Sequence, residues 1–263
     1  MEIEWVTVLG LFLVAMLAGA VDAIAGGGGL LAIPVLLLVL DDPVAALATN
    51  KIQGVCASFT AFAVYYRQGL VNINTMRVPA VMSCIGGVLG TLVVTQVSTS
   101  GLQLILPILL LLMTLYFLFS PSVSDVARPQ LLSYGVFGLS AAVMIGFYDG
   151  FFGPGTGSFF VMAGLVLLGL SAMQAIANAK LLNLASNMGA LLIFIIGGHV
   201  VWLVGGIMAL GQILGAGLGA RLAVYQGKRL VKPVLVTVTL LMSIKLGWQQ
   251  YGEYLMHVTL AAL

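Results

Sequence analysis

Four charged side chains sit where charge is costly. Asp22, Lys51, Asp149 and Lys180 each interrupt a stretch of otherwise apolar residues. An ionised group at the centre of a bilayer costs at least ~2.5 kcal/mol to insert. Lysines in such places suit the binding or gating of an anion, and aspartates suit ion coupling or positioning. The competing reading is structural: each aspartate pairs with a lysine or caps a broken helix end. Polar residues crowd the lysines, with Thr49, Asn50 and Gln53 around one and Asn178, Asn183, Ser186 and Asn187 around the other. Asn50 and Gln53, like Asn183 and Asn187, are spaced three or four apart and share a helical face.

Two glycine-rich runs follow the aspartates. Gly26-Gly27-Gly28-Gly29 comes after Asp22, and Gly153-Pro154-Gly155-Thr156-Gly157, with Ser158 next, comes after Asp149. Glycine and proline break helices, and a half-helix that resumes beyond the break presents free N–H groups and partial positive charge to an anion. Close helix packing is the plainer use of glycine, and it is the reading preferred for Gly86, Gly87, Gly90, Gly215, Gly217 and Gly219. Other chemistries have little behind them. Neither run carries the Lys-Ser/Thr of a phosphate loop. His199 and His257 lack metal-ligand spacing, and Cys56 and Cys84 lie in apolar stretches as small hydrophobes. Ser158 with His199 could be imagined as a hydrolase pair, with no third group to support it. No cofactor and no metal are expected.

The elements that must position these residues are membrane helices. The chain of 263 residues is 61% hydrophobic and only 7% charged, with a mean hydropathy of +1.17. A soluble domain cannot cover its surface with so few charges. A net charge of +2 gives no reason to expect a nucleic-acid partner. Glu2 and Glu4 stand where a cleavable signal would be basic, so the first apolar stretch is expected to be retained. Ten apolar segments can be marked, at roughly 5–25, 30–40, 44–66, 78–97, 102–119, 131–148, 158–170, 172–196, 200–222 and 233–251. Most reach the ~17–25 residues of a spanning helix. The second and seventh are short, and each follows a glycine run.

The short segments belong to an internal repeat. Gly19, Asp22, Gly26 and Gly28 fall on Gly146, Asp149, Gly153 and Gly155 at an offset of 127 residues. At an offset of 129, Ala48, Lys51, Gly69, Gly86 and Gly90 fall on Ala177, Lys180, Gly198, Gly215 and Gly219. Residues 1–120 and 131–263 are thus read as two membrane repeats joined by a cytoplasmic linker, 121–130. Arg67 and Arg77 lie after the third segment, whereas in the second half Arg221, Lys228, Arg229 and Lys232 follow the ninth. If basic loops stay in the cytoplasm, equivalent loops lie on opposite sides and the repeats are inverted, with both termini periplasmic. Trp5, Trp202 and Trp248 then all fall near the outer interface. The expected fold is all-α, a polytopic helical membrane protein of two inverted repeats, each with a glycine-broken helix or re-entrant hairpin.

The motifs Ala25-Gly26-Gly27-Gly28-Gly29-Leu30, Ala48-Thr49-Asn50-Lys51-Ile52-Gln53 and Gly146 through Ser158 resemble the TauE/SafE sulfite-exporter family. Ala179-Lys180-Leu181-Leu182-Asn183 with Ser186-Asn187 is similar to its YfcA-like branch. The resemblance covers essentially the whole chain. It implies an inner-membrane permease for a small anion, with sulfite, sulfonates and sulfur-containing organic acids as the substrate class, driven by ion gradients and not by nucleotide hydrolysis. The expected activity is secondary transport by alternating access, outward in direction, and not enzyme catalysis. A passive anion channel and an intramembrane enzyme are the alternatives. The expected substrate-binding residues are Gly27, Gly28, Gly29, Thr49, Asn50, Lys51, Gln53, Gly155, Thr156, Gly157, Ser158, Lys180, Asn183 and Asn187, with Asp22 and Asp149 as ion-coupling groups. The expected partners are the anion and the lipid bilayer, and association into a homo-oligomer is left open.

Overall fold

The computed structural model describes residues 4–119 and 129–226. Most of the expected linker, the segment at 233–251, and Lys228, Arg229, Lys232, Trp248 and the C-terminus lie outside the described residues. Within them the chain forms nine helices: α1 (Trp5–Ala25), α2 (Gly29–Val39), α3 (Pro43–Arg67), α4 (Ile73–Val94), α5 (Thr99–Phe119), α6 (Tyr134–Phe151), α7 (Thr156–Leu167), α8 (Ala172–Ile196) and α9 (Trp202–Gln226). A π turn at Gly138–Ala142 lies inside α6. Five helices, α1, α4, α6, α8 and α9, are long and apolar enough to cross a membrane. Helix α3 has 25 residues, but the polar run around Lys51 dilutes its hydropathy.

Local chemistry sets the helix ends. Asp42 caps α3 by accepting from the Val44 N–H at 3.0 Å, with Pro43 in the first turn. Asn72 caps α4 by accepting from Asn74 and Thr75. That cap starts α4 at Ile73 instead of near residue 78, so Arg77 lies in the helix and not in the preceding loop. Hydropathy missed this because the first turn of α4 is polar. Helix α1 stops at Gly26, whose φ of 79° is the left-handed conformation that glycine adopts without strain, and whose N–H donates to the Asp22 carbonyl. Helices α2 and α7, with 11 and 12 residues, are each about half as long as a ~30 Å hydrocarbon core at 1.5 Å per residue.

The buried charges lie inside an otherwise apolar core, and the outer face is apolar too, as a lipid solvent requires. Lys51, Lys180 and Asp149 are buried while Leu9, Leu13 and Leu17 of α1, Leu89 and Leu92 of α4, and Leu210, Leu214 and Leu218 of α9 are exposed. Helix contacts between the halves come in matched pairs. Gly86 and Gly90 of α4 abut the carbonyls of Val143 and Phe147 of α6. Gly215 and Gly219 of α9 abut those of Met16 and Ala20 of α1. These pairs interchange under the offsets found in the sequence. They also show direction: α1 and α9 are in parallel register, as are α4 and α6. Helix α3 runs parallel to α9, since the Val201 N–H donates to Thr49 and Gly217 faces Thr60. The loop at 68–72 is too short, at ~3.5 Å per residue, to run back along the ~33 Å of α4, so α3 and α4 are antiparallel.

A side chain at these crossings has nowhere to go. Gly215→Val is expected to destabilise the bundle by about 1–3 kcal/mol or more through overpacking. Gly206→Ala, on the same helix with nothing within 4 Å, is expected to be neutral. Thermal unfolding of the two purified variants in detergent checks this, and equal melting temperatures would refute the packing role.

Candidate functional site

The two helix breaks meet. A Cβ on Gly26 would overlap the backbone of Gly157, one on Gly157 would overlap Gly26, and one on Gly29 would lie 3.2 Å from Pro154. Gly155 holds the second break open in the left-handed region, with φ of 83°. The Ser158 hydroxyl ties the breaks together by donating to the Ala25 carbonyl. Thr156 serves its own turn, donating to the Gly153 carbonyl at 2.6 Å. Tyr148 donates to the Pro154 carbonyl at 2.6 Å, and Tyr65 to the Ala23 carbonyl at 2.8 Å. Ser158→Ala is expected to cost only ~1 kcal/mol, the net worth of one hydrogen bond. A melting shift no larger than that, with transport retained, is the expected measurement. His199 is placed elsewhere, with its ring edge-on to Phe194 beyond the end of α8.

The four buried charges form two pairs that cross between the halves. Lys51 of the first half binds Asp149 of the second at 2.9 Å, and Lys180 of the second binds Asp22 of the first at 2.9 Å. Lys51 also donates to the Asp149 carbonyl near the end of α6, where the helix dipole favours a cation. Both lysines are at most 1% exposed. Pairing with a carboxylate is what makes such burial tolerable.

A polar cavity of about 30 Å³ lies beside the breaks. A water needs roughly 10–15 Å³ measured this way, so the space suits about two. Of the residues expected to bind substrate, Gly28, Gly29, Asn50, Gly157, Asn183 and Asn187 line it, as do Asp22 and Asp149. Gly27, Thr49, Lys51, Gln53, Gly155, Thr156, Ser158 and Lys180 are not in its wall. Gln53 stands behind it: Gln212 donates to Gln53 at 3.1 Å, and Gln53 donates to Asn50 at 3.1 Å. Asn183 accepts from Asn187 at 2.9 Å, and Asn187 also donates to Asp149 at 2.9 Å.

Ser58 and Gln212 also line the cavity and were not singled out from sequence. Ser58 is the repeat counterpart of Asn187 at the offset of 129, so mapping the second-half polar cluster onto the first half would have found it. Gln212 maps onto Ser83, and that pair repeats in structure: Ser83 donates to the Leu182 carbonyl at 2.8 Å as Gln212 donates to Gln53. Among the described residues, no cluster of three or more His, Cys, Asp or Glu could hold a metal.

Comparison with known proteins agrees with this architecture. The family model described as sulfite exporter TauE/SafE matches residues 11–246. The chain is 44% identical over 248 residues to the probable membrane transporter protein YfcA of Escherichia coli (strain K12), covering 94% of this chain and 92% of that one. It is 41% identical over 240 residues to a probable membrane transporter protein of Haemophilus influenzae, covering 91% and 94%. A more distant relative, the probable membrane transporter protein YunE of Bacillus subtilis, is 22% identical over 268 residues, covering 92% and 97%. No solved structure matches. With its helical bundle and both glycine-broken motifs inside the matched span, this integral membrane protein belongs to the sulfite exporter TauE/SafE family of membrane transporters.

Proposed function

We propose that the chain is a secondary transporter of the inner membrane, moving a small sulfur-containing anion such as sulfite or a sulfonate by alternating access through the central cavity. The observation that carries this reading is the meeting of two helix breaks over a cavity lined with amide and hydroxyl groups and by the two lysine-paired aspartates. Backbone unwound at membrane depth is tolerable where it lines such a cavity. The repeats are read as inverted. Support comes from the helix directions: α1, α3 and α9 are mutually parallel by their contacts, α4 is parallel to α6 and, with Ser83 on Leu182 and Gly87 on Ser186, to α8, and α3 opposes α4. Helices α1, α3 and α4 of the first repeat then oppose α6, α8 and α9, their counterparts in the second. Two such halves can exchange conformations and so turn one site toward either side of the membrane.

The basic residues support an orientation with both termini periplasmic. Arg67 and Arg221, near the parallel ends of α3 and α9, flank a second cavity of about 240 Å³. Basic helix ends belong in the cytoplasm. Reporter fusions after Leu263 are expected to read as periplasmic and those at Lys228 as cytoplasmic; a cytoplasmic Leu263 would overturn the orientation.

The substrate class is tested by thermal-shift screening of purified protein against sulfite, thiosulfate, taurine, sulfoacetate and simple carboxylates. A stabilisation confined to the sulfur-containing anions is expected. Stabilisation by carboxylates alone would overturn the sulfur reading. Counterflow in proteoliposomes then separates a carrier from a passive channel, which shows none.

A further inference from the structure

The two crossed ion pairs look equivalent by position, but their surroundings differ. Both oxygens of Asp149 are occupied: Lys51 holds one at 2.9 Å, while Ser186 and Asn187 donate to the other. Asp22 has Lys180 on one oxygen at 2.9 Å. On the other it has only the Gly28 N–H, at a long 3.4 Å. The reason lies in the sequence. Ser186 and Asn187 map at the offset of 129 onto Ala57 and Ser58. Alanine has no donor to offer. The Ser58 hydroxyl, fully buried, has no hydrogen-bond partner, and neither does the buried Gln212 Oε1. Both residues line the cavity that Asp22 also faces. A buried polar atom left unpaired costs about 1–3 kcal/mol, a cost that a ligand in the cavity would remove.

We propose that Lys51–Asp149 is a permanent strut, whereas Asp22, which lines the cavity, takes up a proton, opens its pair and so uncovers to the cavity the Lys180 ammonium behind it, which holds the anion beside Ser58. This rests on the anion-transport reading for the ligand and deepens it by naming the coupling ion. With both pairs closed, the four buried charges cancel and the cavity offers an anion no net attraction. Adding a monoanion would bury an uncompensated charge. Protonation corrects the balance. A proton from water forms an O–H on the Asp22 carboxylate, the contact to Lys180 breaks, and the ammonium keeps its three protons. The site is then one charge positive, and one monoanion neutralises it. Ser58 Oγ and the amide of Asn50 are the neutral donors at hand.

The groups able to bias Asp22 are few. Helix α8 brings only Lys180, α6 brings Asp149 across the same cavity with its charge balanced by Lys51 of α3, and α3 also brings Tyr65, whose hydroxyl is spent on the Ala23 carbonyl. Helices α2 and α7 carry no titratable residue. Arg221 and Tyr225 of α9 lie just past the Gly219–Ala20 crossing, but they are exposed and border the other cavity. Proton and anion therefore occupy the site together and move in the same direction, and export of an accumulated anion takes a proton out with it.

Infrared difference spectra of the full chain in liposomes, between neutral and acid pH, test the first half without any substrate. A carboxylic-acid carbonyl band is expected in the wild type, absent in Asp22→Asn and retained in the double variant Lys51→Met/Asp149→Asn, which leaves no unpaired charge. The double variant Asp22→Asn/Lys180→Gln, which leaves no unpaired charge, serves if the single one fails to fold, and it must also lack the band. A band that survives loss of Asp22, or is absent from the wild type, overturns the proposal. Methanesulfonate, whose single charge is constant across this range, tests the second half. Its affinity is expected to rise tenfold or more from neutral to acid pH in the wild type. In Asp22→Asn it is expected to be pH-independent, and in Ser58→Ala it is expected to fall several-fold. Equal wild-type affinity at both pH values overturns the coupling. No methanesulfonate binding at any pH, with the Asp22 band present, overturns the sulfonate reading while leaving Asp22 as the proton carrier.

Discussion

Asp149→Ala is expected to deplete folded protein from the membrane. The substitution strips the partner from a lysine that is 1% exposed and leaves the donors of Ser186 and Asn187 without their acceptor. Breaking one side of a buried pair costs about 3–5 kcal/mol, a large share of a marginal total. Removing both charges is different. Lys51→Met with Asp149→Asn keeps the volume and abolishes the unpaired ammonium, so it is expected to recover most of the lost stability. Thermal unfolding in detergent, with the yield of monodisperse protein, measures both. Asp149→Ala unfolding with the wild type would show that the pair is not structural. A double variant no better than the single one would place the cost in the Ser186–Asn187 cluster instead. Asp22→Ala is expected to cost less, because Asp22 has fewer donors to orphan.

The second large effect is expected at Gly26. Alanine there must take a left-handed backbone, at about 1–2 kcal/mol, and its methyl would overlap the Gly157 and Ser158 backbone, adding about 1–3 kcal/mol of overpacking. The two breaks would be driven apart at the point where they define the cavity. Gly26→Ala is therefore expected to lose both stability and anion binding. Gly10→Ala, within the same helix and with nothing near it, is expected to lose neither. A Gly26→Ala protein that melts and binds as the wild type does would mean that the crossing of the breaks does not shape the site.

What could be read from the sequence was local or periodic. Hydropathy marks α1 and α8 to the residue because lipid-spanning length and apolar content are properties of a single segment. The glycine runs locate both breaks because a left-handed turn such as that at Gly26 selects glycine wherever it occurs. The repeat offsets even predict which glycine meets which carbonyl, once one crossing is known. Hydropathy places the start of α4 too late because Asn72 caps it through side-chain geometry that hydropathy does not see. Charge in an apolar segment identified Asp22, Lys51, Asp149 and Lys180 as special. The structural alternative, that each lysine pairs with a carboxylate, could be stated but not decided, since the partners are 98 and 158 residues apart.

Only the tertiary structure decided that the pairs cross between halves. It also decided that Asn50, Asn183 and Asn187 face the cavity while Thr49 and Gln53 support neighbouring helices, and that Ser58 and Gln212 join them. The physical reason is that a polar residue inside a membrane bundle must find a partner, and the sequence shows the need without the partner. Which carboxylate, carbonyl or amide satisfies it depends on how close the backbones come, and here that distance is set by glycines on helices far apart in the chain.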